Sequence, residues 1–278
     1  MGLMMPPPRG LLGSITNLAA TPANYSSRAT AVAASGSINT KGSWTQLIAA
    51  ASIVAPVIGI SVSIANNPTS GAAVRSFFDI GVGGSGSEVV LISNLAFVGP
   101  SNASNQPGPA EIFIPVRIPA GTRVSCRHQS TSASKTSNVL VTVYFGNWAE
   151  HRTFAGAECI NADTSTTSML ALTAGNSGSY GSWTNAGSTT SRTYYGGSIM
   201  AMNDTVTVLS GLAYVADWGW NSTPRGSRWL VAQTTEAQGS FSGSAFEFGT
   251  IPSGTQLQIR AKCGGTAEAL QYGIMCLY

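Results

Sequence analysis

Charged side chains are scarce in this 278-residue chain, at 9% of the total, against roughly 25% in an ordinary soluble domain. That scarcity excludes the charge-rich, apolar-poor composition of disordered chains. The 14 Lys and Arg residues give a net charge of +3. They form no cluster, which argues against a nucleic-acid partner. Histidine is nearly absent, with only His128 and His151, and no HExxH spacing joins them. No metal or other cofactor is therefore expected. None of the four cysteines, Cys126, Cys159, Cys263 and Cys276, stands in a C-x-x-C pair. Cys126 and Cys276 lie in apolar strand patterns, so buried reduced thiols are expected.

Long apolar runs are missing too. Leu47 to Ile64 is interrupted by Pro56, Gly59 and serines, so no membrane span is expected. The first residues carry no charged segment followed by an apolar stretch, and so read as no targeting signal. No ten-residue stretch has helical periodicity. There is no G-x-S-x-G elbow, and the eleven acidic residues are dispersed. No catalytic residue is assigned, and a non-enzymatic protein is expected. Gly81-Val82-Gly83-Gly84-Ser85-Gly86 fits G-x-G-x-x-G, but strand-like Ser87 to Ile92 follows where a dinucleotide site needs a helix. It reads as a hairpin loop.

What the chain does have is an internal repeat. Ile118-Pro119-Ala120-Gly121-Thr122 returns as Ile251-Pro252-Ser253-Gly254-Thr255, and Gly42-Ser43-Trp44-Thr45 as Gly181-Ser182-Trp183-Thr184. Order and spacing agree closely between the halves. The period far exceeds the roughly 20 to 50 residues of stacked repeats. Two tandem β-sandwich domains of jelly-roll type are expected, over 39–147 and 179–278, joined by a linker or first strand at 148–178. Alternating segments predict strands at Ile58–Ile64, Val74–Ile80, Glu88–Val98, Glu111–Arg117, Thr122–His128 and Asn138–Phe145. In the second half they predict strands at Thr205–Leu209, Leu212–Trp220, Arg228–Gln233, Ser244–Phe248, Thr255–Lys262 and Gln271–Tyr278.

Residues 1–38 have too few apolar side chains for a core and read as an extended N-terminal arm. Leu11, Leu12, Ile15 and Leu18 are its candidate anchors to a partner. Trp218-Gly219-Trp220 sets two indoles on one strand face, with Trp229 soon after. Exposed rings of this kind stack on sugars or anchor protein partners. These three are the candidate glycan or subunit contacts, whereas the matched Trp44 and Trp183 read as scaffold.

Phe77-Phe78-Asp79-Ile80-Gly81-Val82-Gly83-Gly84-Ser85-Gly86-Ser87-Glu88-Val89-Val90-Leu91-Ile92, with Ile114-Pro115-Val116-Arg117-Ile118-Pro119-Ala120-Gly121-Thr122-Arg123, resembles virion structural proteins of tailed bacteriophages. The resemblance is strongest over about 58–145. It implies a β-sandwich component of a virion, with other virion proteins and copies of itself as partners and no catalytic residue to carry over. A capsid decoration or cement protein is the first expectation. A tail or fibre component that binds a host-surface glycan is the alternative.

Overall fold

A computed structural model describes residues 13–16, 29–66, 74–99, 110–176, 178–203, 213–231, 246–264 and 269–278. The architecture is all-β, as expected from the period-two patterning. The first nine strands are β1 (Gly13–Thr16), β2 (Thr30–Ala33), β3 (Thr45–Ile48), β4 (Val57–Asn66), β5 (Val74–Val82), β6 (Val89–Gly99), β7 (Ala110–Ile114), β8 (Val124–Ser130) and β9 (Thr136–Phe145). The other nine are β10 (Ala157–Ile160), β11 (Leu170–Thr173), β12 (Thr184–Asn185), β13 (Tyr194–Asn203), β14 (Ala213–Trp220), β15 (Thr223–Val231), β16 (Glu247–Ile251), β17 (Gln258–Cys263) and β18 (Ala269–Leu277).

The second nine repeat the first. One sheet runs β1-β9-β4-β7, with β2 also on β9, and β6-β5-β8-β3 are neighbours in that order. Their counterparts run β10-β18-β13-β16, with β11 also on β18, and β15-β14-β17-β12. Each set has the two four-strand sheets of a jelly roll, plus one extra edge strand. A parallel contact of β10 with β6, Ala157 beside Ile92 and Glu158 beside Ser93, fuses one sheet from each half into a nine-stranded sheet.

The register repeats as well. Ile60 faces Val143 and Ile114 in the first half, and Gly197 faces Cys276 and Glu247 in the second. The pairing is irregular near the same place in both halves, at Val57/Gly59 of β4 against β9 and at Tyr194/Gly196 of β13 against β16. The repeated Pro-Gly turns have one conformation. Gly121 and Gly254 take φ of 73° and 82°, which glycine adopts without a Cβ clash. Each donates its N–H at 2.7 Å, to the carbonyls of Ile53 and Thr190.

Two hydrophobic cores lie between the sheets. The first gathers Val57, Ile60, Phe78, Ile80, Leu95, Ile114, Val141 and Val143 with Met200, Met275 and Leu277 from the second half. The second gathers Tyr194, Tyr214, Trp218, Ile251, Ile259, Tyr272, Ile274 and Cys276. The four cysteines are buried, and none is in a disulfide. Burial pushes the Cys159 thiol up to about 12 and Cys126 higher still.

Part of the expected arm is sandwich. β1 and β2 both pair with β9, and Val32 is fully buried in the first core. They hold the places of β10 and β11 on β18. The first unit therefore begins before residue 39, and the segment 148–178 supplies the opening strands of the second. Backbone pairing with β9 orders this sparsely apolar stretch. The glycine-rich motif is the hairpin between β5 and β6, with Gly83 and Gly86 at φ of 121° and 81°. The expected strand at Thr205–Leu209 lies outside the described residues.

Candidate functional site

Asp79 sits near the centre of β5, opposite Arg127 on β8 and at the register break of β5 against β6. Its Oδ1 accepts from Lys41 Nζ at 2.8 Å and from the Asn94 backbone N–H at 2.8 Å, and its Oδ2 from Arg127 Nε at 2.8 Å. The Arg127 guanidinium lies 4.7 Å from the centre of the Trp44 ring. The carboxylate side chain is 3% exposed, so these partners replace its water. Burial lowers the Lys41 pKa, opposed by the Asp79 charge.

The second half rebuilds this cluster around Asp217 on β14. Its Oδ1 accepts from the Tyr180 hydroxyl at 2.9 Å and the Ser227 hydroxyl at 2.7 Å. Its Oδ2 accepts from Arg260 Nη2 at 2.8 Å and Nε at 3.0 Å. Arg260 is packed between Tyr180 and Trp183, at 4.2 Å and 4.6 Å from the ring centres. Burial, then the bond to Asp217, pushes the Tyr180 hydroxyl up to about 12. Each carboxylate thus joins the residue just before its G-S-W-T motif, Lys41 or Tyr180, to the middle of its sheet. With both oxygens engaged by donors, these groups act as struts. Sequence reasoning passed over them because Asp79, Arg127, Asp217 and Arg260 are far apart along the chain and no motif spacing links them. The repeated tryptophan was the one available signal.

His128, on β8, is fully buried. It stacks on Phe78 at 4.4 Å, its Nε2 is 2.9 Å from Ser76 Oγ, and its Nδ1 is 3.3 Å from the Val32 carbonyl. Burial pushes its pKa down to about 4. The alternating pattern of its strand reads as a surface or interface place for His128, but the ring is a core group that seals the sheet against β2. Among the described residues, no group of three or more His, Cys, Asp and Glu is placed to hold a metal.

The candidate contact residues separate. Trp218 is 2% exposed, and its indole Nε1 donates to Glu247 at 3.2 Å. It is a core residue, which removes it as a glycan or subunit contact. Trp220 is half-buried, at 6.2 Å from Trp218, and carries Arg225 over its ring at 4.3 Å. Trp229 lies on β15 opposite Val215. In the arm, Ile15 pairs with Val143 and packs on the first core of its own chain, whereas Leu11, Leu12 and Leu18 lie outside the described residues.

An exposed aromatic surface forms elsewhere. Tyr195 and Phe248 are 42% and 52% exposed. Both stack on buried Phe154, at 6.3 Å and 5.9 Å. The Arg152 guanidinium lies 4.9 Å from the Phe248 ring centre and donates to the Tyr195 carbonyl at 3.4 Å. These residues come from the segment before β10, from β13 and from β16. No local pattern joins them, so nothing in the sequence marks the patch.

No protein-family model matches the chain, and no curated protein matches it. Among solved structures, one of PNGF-II aligns with a TM-score of 0.43 at 7% identity, over 95% of this chain and 65% of that one. The tandem CBM22-1–CBM22-2 domain of Paenibacillus barcinonensis Xyn10C aligns with a TM-score of 0.28 at 10% identity, over 97% and 92%. Likenesses this distant carry no functional inference.

Proposed function

We propose that the chain is a non-enzymatic structural subunit of a tailed-bacteriophage virion, a capsid decoration or cement protein. One observation carries the reading. The residues that resemble virion proteins serve as framework. Asp79 ties three strands together, the Gly83–Gly86 segment turns a hairpin, and Ile118 to Gly121 close a sandwich end. The second half spends Asp217 and Ile251 to Gly254 in the same way. A module copied for its framework enlarges a surface. The low charge suits burial against neighbours, where an unpaired charge is costly. Cryo-electron microscopy of purified particles carrying a labelled copy tests this. Density for two adjacent sandwiches on the head shell is expected, and absence of the label from particles overturns the reading.

A second reading has its own observation. The exposed rings of Tyr195 and Phe248 beside Arg152 suit a sugar face with adjacent hydroxyls. This favours a tail or fibre component that binds a host-surface glycan. Glycan-array binding that disappears in Tyr195→Ala and Phe248→Ala, with the label at the tail, replaces the first reading by this one.

A further inference from the structure

We propose that copies of this chain join head to tail, β15 of one against β1 of the next, by repeating the contact that already joins the two halves. This contact does not depend on whether the chain resides in a virion. β1 and β10 hold equivalent places: Ser14 lies opposite Tyr144 on β9, and Ala157 opposite Leu277 on β18. β6 and β15 are likewise equivalent, since Ile92 faces Ile80 on β5 and Gly226 faces Trp218 on β14. Within the chain, β10 pairs with both β18 and β6, so the edge of one half's sheet is closed by the other half.

Among the described residues the two counterparts of this junction have no such closure. Among the described residues β1 ends the five-stranded sheet and β15 ends the four-stranded one. An edge strand presents unpaired N–H and C=O groups, which template pairing with another chain. The operation that carries the first half onto the second carries β6 onto β15. Applied once more, it sets the β1 of a second copy beside β15. The occupant is a second copy because β1 is the equivalent of the strand that fills this place inside the chain.

Local chemistry permits it. Ser14 is exposed on β1, and Thr223, Pro224, Arg225 and Ser227 are exposed on β15. Arg225 is the only charge among these five residues, so no like charges meet. Pro224 precedes Gly226, the counterpart of the residue at which β6 receives β10, and so removes no N–H from the paired segment. The face brought close, around Leu140, Thr142 and Tyr144, is half-buried and apolar in part. A contact of this kind is heterologous and propagates into rings or filaments instead of closing as a two-fold dimer.

Intermolecular paramagnetic broadening tests the contact. The full chain carrying Ser14→Cys with a nitroxide label is mixed with isotope-labelled, unmodified protein; the four native thiols are buried and escape the label. Amides of β15 in the second copy are expected to lose most of their intensity. The reciprocal label at Arg225→Cys is expected to act on β1. Sedimentation should show a mass that rises with concentration. Broadening at β1 by the Ser14 label, broadening confined to other edges, or a monomer up to about 1 mM overturns the proposal. Circular dichroism of both labelled chains confirms the fold, and either label alone suffices to decide.

Discussion

β9 and β18 hold the same place in their halves, yet their outer faces differ. On β9 burial alternates strictly, with Val139, Val141 and Val143 inward and Leu140, Thr142 and Tyr144 half-exposed. On β18 every residue from Gln271 to Leu277 is buried. Met275, the counterpart of Thr142, joins the first core beside Cys159 and Met169. Gly273 lies so close to the Cys159 and Met169 sulfurs that a Cβ there would stand 2.6 Å from each. The register is shared, and where fusion of the sheets covers the outer face β18 carries Met275 and Leu277 in the places of Thr142 and Tyr144. Position in the assembly sets the side-chain chemistry, and the hydrogen-bond ladder sets the fold.

The Asp centres are expected to give the largest difference between the halves. Asp79→Ala strands two partly buried cations, Lys41 and Arg127, and should cost about 3 to 5 kcal/mol. Asp217→Ala strands one, Arg260, while the partners Tyr180 and Ser227 are neutral, and should cost about 2 to 3 kcal/mol. Urea unfolding of the two variants measures both, and equal losses would break the distinction. Next comes the outer face itself. Met275→Ala should cost about 2 to 5 kcal/mol, whereas Thr142→Ala loses one hydrogen bond to Thr16, worth about 1 kcal/mol. A loss at Thr142 as large as that at Met275 would mean that β9 is also covered.

The two halves should also answer acid differently. Gly42 donates its N–H to the His128 carbonyl and Gly181 to that of Ala261, so Ala261 stands where the first half has its buried imidazole. The His128 pKa falls to about 4 in the fold from an ordinary 6.5. Between those values the unfolded chain holds a proton that the folded chain lacks. Stability should therefore fall by about 3 kcal/mol as pH drops from about 6.5 to about 4. Denaturant titrations across that range should show the loss flattened in His128→Asn. The smallest effect is a core exchange. Ile60 and Ile80 in the first half correspond to Gly197 and Trp218 in the second, where a Cβ on Gly197 would lie 2.9 Å from the indole. Gly197→Ile and Trp218→Ile should each destabilise. The pair should recover about 1 to 3 kcal/mol of coupling in a double-mutant cycle.

This exchange also explains what was legible. Strands with clean alternation, such as Ile58 to Ile64 and Asn138 to Phe145, could be read directly. β13 could not, because Tyr194-Tyr195-Gly196-Gly197 reads as a turn, although the glycines make room for Trp218 and for the bulge. β1, β2 and β10 to β12 are short edge or flanking strands whose order comes from backbone pairing with β9, β18 and β17 more than from their own side chains. The repeat was visible in two motifs. The Asp–Arg–Trp clusters and the Tyr195–Phe248 surface were not, because folding alone brings their residues together.

An experimental density map of the chain tests the central claim, one jelly roll used twice, most directly. The account predicts that superposing β2 to β9 on β11 to β18 brings Asp79, Arg127 and Trp44 onto Asp217, Arg260 and Trp183. It also predicts Gly197 opposite Cys276, where the first half has Ile60 opposite Val143. A different strand order in the second half, or a register displaced by one residue so that Met275 faces the second core, would contradict it.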